Sequence, residues 1–117
     1  MGIYVKTTTG ADKIGKDQSM SKAVIVYKGY HVLTYSSSTW LKTTISKGVI
    51  DSSVFKKDSA PSILITPRFY SGMPYEQIKS YGYDINMSAQ TITLYAIGGG
   101  FVSGHLQAIS VAVLANV

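Results

Sequence analysis

Hydrophobic and polar positions alternate with a period of two through much of the chain, the spacing that puts one strand face on a core and the other in water. Glycine, proline, serine and aspartate clusters break this pattern every 8–12 residues or so, the punctuation of an all-β protein. Strands are predicted over residues 3–7, 22–28 and 30–36, the last two forming a hairpin that turns near Lys28-Gly29. A further pair is predicted over 40–46 and 48–55, around Lys47-Gly48. Residues 63–66 read as a short strand stopped by Pro67. Pro74 followed by YEQIK predicts a single helical turn, and 83–87 another strand. The clearest hairpin joins AQTITLYAI to HLQAISVAVLANV through GGGFVSG. Its second run is apolar on both faces, with Ile109, Val111 and Val113 on one and Ala108, Ala112 and Leu114 on the other. Such a strand must be covered on both sides, by its own domain or by a neighbour. The predicted fold is therefore all-β, an antiparallel jelly-roll-like β-sandwich, in a single compact domain over residues 1–117.

Composition supports this class. Of 117 residues, 45% are hydrophobic and 15% charged, which favours a packed domain over disorder. Tyr occurs nine times and Glu once, at Glu76, a balance suited to half-exposed strands and poor for exposed helices. There is no cysteine, so neither disulfides nor thiolate metal sites enter the fold. No apolar run reaches the roughly 18 residues of a membrane span. The opening MGIYVKTTTG lacks a signal peptide's apolar core, which predicts synthesis in a cytoplasm without cleaved export.

Charge is uneven. Residues 1–57 carry nine lysines against Asp12, Asp17 and Asp51, a balance of +6, whereas residues 58–117 stand at −1. Lys22, Lys28, Lys42 and Lys47 define a third-ranked reading, a basic nucleic-acid-binding barrel. Their dispersal and the single arginine disfavour nucleic acid as a partner.

Candidate chemistry is sparse. His31 and His105 stand apart from any nucleophile motif, and no serine sits in a G-x-S-x-G elbow. Glu76 and Asp84 are the acid pair to examine for glycosidase geometry. Two histidines without cysteine make no zinc motif, and Asp12 and Asp17 lack the spacing of a calcium loop. No catalytic, cofactor-binding or metal residue is assigned, and the chain is expected to be non-enzymatic with no cofactor. GGGFVSG lacks the P-loop ending and leads into a strand, so it reads as a hairpin tip; Phe101 and Val102 on it are an expected apolar contact pair. Asn86-Met87-Ser88 matches a glycosylation sequon without the export signal that would give it meaning. The aromatic segment holding Phe69, Tyr70, Tyr75, Tyr81 and Tyr83 is the best candidate partner surface. Tyr70, Tyr75, Tyr81 and Tyr83 supply the alternative function, a carbohydrate-binding module with an aromatic loop platform.

PSILITPRFYSG, YDINM, TITLYAI and ISVAVLA together resemble small β-sandwich domains of tailed-bacteriophage virions, of the tail-fibre-tip, receptor-binding or decoration type. The matching positions are 63–67, 91–97 and 109–115. The resemblance implies a structural virion component made in the bacterial host cytoplasm, without membrane insertion. It implies association with itself, often as a trimer, and with other virion proteins. Its loops would meet a host-surface polysaccharide or protein. Within that expectation Ile109, Val111, Ala112, Val113 and Leu114 form the assembly strand.

Overall fold

The computed structural model describes residues 23–56, 58–68 and 75–116. Six strands form one antiparallel sheet: β1 (Ala23–Ser37), β2 (Trp40–Ile45), β3 (Ser62–Arg68), β4 (Ile78–Asn86), β5 (Thr91–Gly98) and β6 (Leu106–Asn116). Their order is β3-β6-β1-β2-β5-β4. The edge strands β3 and β4 approach each other, so the sheet is nearly closed into a barrel. The expected all-β, antiparallel architecture is present. The described strands make one continuous curled sheet where the sequence pattern predicts a two-sheet sandwich.

β1 runs unbroken through Gly29, which pairs with Val111, so no turn forms at Lys28-Gly29. The Tyr27 ring lies over Gly29, with Cζ only 2.6 Å from where a Cβ would sit, and its hydroxyl is hydrogen-bonded to His31 Nε2 at 2.8 Å. Glycine here clears space for a ring within a strand.

The predicted strand over 48–55 is also replaced. Asp51 Oδ1 accepts the Ser53 N–H at 2.9 Å, and a 3-10 turn, Ser52–Lys56, tucks Val54 and Phe55 into the core. That backbone hydrogen bond, ahead of the Ser53 hydroxyl, holds the Asp51 carboxyl below its usual pKa. β3 continues through Pro67, because an edge strand has an unpaired side on which a missing N–H costs nothing. The turn expected after Pro74 is a 3-10 turn, Tyr75–Gln77, and β4 begins directly after it, earlier than predicted.

The largest correction concerns β5 and β6. They are not hairpin partners: β5 pairs with β2 and β4, and β6 with β1 and β3. Their glycine-rich connection instead crosses the end of the β1–β2 hairpin. Gly98 N–H donates to Thr39 O at 2.9 Å and Phe101 N–H to Ser38 O at 3.0 Å. Gln77 Nε2 donates to Gly99 O at 3.2 Å and Gly100 O at 2.8 Å, fastening the crossing from the other side. Gly98 is required because a Cβ would run into the Gln77 carbonyl, and Gly100 because its φ is +78°.

The core holds Leu33, Leu41, Ile45, Ile92, Leu94, Ile109, Val111 and Val113 from the inward strand faces. Each barrel end receives a phenylalanine from a crossing connection. Phe55 comes from the β2–β3 connection, and Phe101 enters at the opposite end. Gln107 is the buried polar residue of this core, its Nε2 donating to Arg68 O and Ala108 O, both at 2.9 Å.

Candidate functional site

Registers separate the two faces of β6. Ile109, Val111 and Val113 point inward and are fully buried, opposite His31, Gly29 and Tyr27 of β1 and Pro67, Ile65 and Ile63 of β3. Ala112 and Leu114 lie on the outer face and are half-buried. The first three residues expected to mediate assembly are thus the protein's own core, and the other two belong to its surface.

Around Ala112 and Leu114 the outer face continues as an apolar patch. Leu114 lies between Ser62 and Ile25, and Ala112 between Leu64 and Lys28. Leu64 is 58% exposed and Ile25 55%, high for large aliphatic side chains. At one corner Arg68 Nη1 donates to Ser110 Oγ at 2.8 Å, and its guanidinium lies 5.8 Å from the Tyr30 ring centre.

The aromatic candidates do not assemble into one platform. Phe69 and Tyr70 lie outside the described residues. Tyr75 falls in the 3-10 turn before β4. Tyr81 is half-buried against the core, and burial raises its hydroxyl pKa. Tyr83 is exposed on edge strand β4. Phe101, expected as a contact residue, is 2% exposed, because the crossing needs an apolar lid more than a sticky tip. Its neighbour Val102 is 57% exposed. His105 packs edge-on to Phe101 at 6.1 Å, and its Nδ1 accepts the Val102 N–H at 3.1 Å.

No known protein family, curated protein or solved structure matches this chain. Glu76 and Asp84 are separated by most of β4. Six strand steps from Ile78 to Asp84 span about 20 Å at roughly 3.3 Å per residue, beyond the roughly 5–10 Å that glycosidase carboxylates need. Among the described residues no three His, Asp or Glu side chains converge as a metal site, and no helix is long and apolar enough to cross a membrane. Lys28 and Lys42 lie on the outer face, Lys47 in the turn after β2, and Lys22 outside the described residues.

The surface that sequence reasoning missed is the outer face of β2, β5 and β4. Trp40 is 42% exposed, with its ring centre 5.5 Å from that of Tyr95 on the neighbouring strand. Tyr95 Oη donates to Asp84 Oδ2 at 3.3 Å, and burial together with the Asp84 charge raises the phenol's pKa, keeping it a donor. Thr44 and Thr93 hydroxyls meet at 3.2 Å beside them. A recess of about 630 Å³ follows, lined by Asp84, Asn86, Thr91 and Thr93 among others. Gly82 pairs with Tyr95 across the β4–β5 register and puts no side chain beside it. The available signal was the alternation Trp40, Lys42, Thr44 against Leu41, Thr43, Ile45, which puts a tryptophan on a polar face.

Proposed function

We propose that this chain is a non-enzymatic structural subunit that works by associating with copies of itself through the outer face of β3, β6 and β1. The observation carrying the reading is the apolar patch of Ile25, Leu64 and Leu114, continuous across three hydrogen-bonded strands. A second copy covering it would remove that surface from water and answer the demand for cover made by a strand apolar on both faces. Placement in a phage virion, as a tail-tip, fibre-associated or decoration subunit among other virion proteins, rests on the resemblance at 63–67, 91–97 and 109–115. Those stretches lie in β3, β5 and β6, and the absence of β5–β6 pairing removes the closing hairpin from its support.

Substitutions on the two faces of the patch strands separate assembly from folding. Leu64→Asp and Ile25→Asp place charge in the proposed contact without entering the core, and each is expected to leave the far-ultraviolet spectrum intact while dissociating the oligomer. Val111→Asp and Val113→Asp bury an unpaired carboxylate and are expected to abolish folding itself. Sedimentation velocity on Leu64→Asp showing an undiminished oligomer would overturn this interface.

A further inference from the structure

The geometry points to a binding site for neutral oligosaccharides on the outer face of β2, β5 and β4, built on Trp40 and Tyr95 and continuing over Asp84 and Thr93. It shares no residue with the proposed self-association patch, so the two readings stand or fall separately.

Two kinds of group lie side by side there. Trp40 and Tyr95 lie side by side on the outer face, their ring centres 5.5 Å apart and their planes inclined by 42°. The electron-rich face of an aromatic ring attracts the polarised C–H bonds on the flat side of a pyranose. Asp84, held by the Tyr95 hydroxyl, and the Thr44–Thr93 pair are acceptors and donors aligned along the strands next to those rings. Charged acceptors make the stronger hydrogen bonds with hydroxyls. The shallow, open recess beyond them, with Asn86 and Thr91 in its lining, continues this row of polar groups along the strands.

Gly82 adds no side chain to this face beside Tyr95. A Cβ at position 82 would find only Ile97 Cδ1, at 3.6 Å, so nothing in the fold requires the space to be empty. The face carries one charge of each sign, Asp84 on β4 and Lys42 opposite Tyr95 on β2, so it offers no net charge to an acidic glycan or a nucleic acid strand and suits an uncharged ligand.

Trp40 is the chain's only tryptophan, so its fluorescence reports directly on this site. The probes are hexasaccharides of β-1,4-glucose, α-1,4-glucose, β-1,4-N-acetylglucosamine and mannose, titrated into the intact chain. At least one is expected to shift the emission saturably. Calorimetry on the same sugar is expected to show at least tenfold weaker binding for Trp40→Ala and for Gly82→Leu, both retaining their circular dichroism. Leu64→Asp is expected to bind like wild type. No saturable binding to any of the four, or binding unchanged in both Trp40→Ala and Gly82→Leu, overturns the site. Binding of oligo-dT at low salt in preference to every sugar also overturns it, since that would assign the rings to base stacking.

Discussion

Replacing Phe101 by alanine asks whether the β5–β6 crossing closes the barrel or merely passes over it. The ring is 2% exposed, belongs to the central cluster, and stands edge-on to His105 at 6.1 Å. A buried phenylalanine removes about 150–250 Å² from water, and at roughly 25 cal/mol/Å² that amounts to about 4–6 kcal/mol as an upper bound. Buried Phe→Ala substitutions cost about 3–5 kcal/mol. For a domain of this size each kcal/mol lowers Tm by about 4 °C, so Phe101→Ala is expected to melt about 12–20 °C below wild type. Val102→Ala, at the exposed neighbouring position, serves as the control and is expected to stay within about 0.5 kcal/mol of wild type. The assay is urea and thermal unfolding followed by circular dichroism. Equal, small shifts for the two variants would refute the lid and return Phe101 to the surface.

Gly98→Ala is expected to cost about 1–3 kcal/mol, because its Cβ meets backbone at Gln77, which cannot swing aside. Gly99→Ala meets nothing within 4 Å and is expected to be neutral or slightly stabilising, so matched denaturant midpoints for the two would contradict the crossing's geometry. Burial lowers the pKa of His31 from 6.5, so the unfolded chain takes up the imidazole proton first as pH falls. Stability is therefore expected to decline as pH drops below about 6.5 and to level off once the lowered folded value is passed. His31→Gln should flatten that part of the profile, and an unchanged slope would show that another group carries it.

The strands with plain alternation were legible. Residues 40–46 and 91–97 read as strands because Leu41 and Ile45, or Ile92, Leu94 and Ala96, fall on one face, and these are buried. Partner choice was not legible. β5 and β6 are adjacent in sequence and joined by glycines, yet each hydrogen-bonds to strands encoded elsewhere in the chain, and local pattern carries no such information. The two connections that close the barrel failed for a related reason. Local pattern makes Phe55 a strand residue and Phe101 an exposed tip, although a large aromatic among glycines, serines and lysines is what a crossing lid requires. Gly29 looks like a turn in the sequence because its partner, the Tyr27 ring, is invisible without the strand's geometry. Of the β6 residues expected to mediate assembly, Ile109, Val111 and Val113 are core and only Ala112 and Leu114 reach the surface, because local pattern cannot say which apolar face the rest of the sheet covers. Trp40 and Tyr95 lie far apart in sequence and become one feature only through the β2–β5 register.

Self-association through the outer face of β3, β6 and β1, as proposed, sets the mass of the protein in solution. The most direct measurement is the mass of the wild-type protein by multi-angle light scattering across micromolar to hundreds-of-micromolar concentrations. Wild type is expected to give a defined multiple of 12.6 kDa, falling to 12.6 kDa in Leu64→Asp. A wild-type mass of 12.6 kDa at every concentration would contradict it.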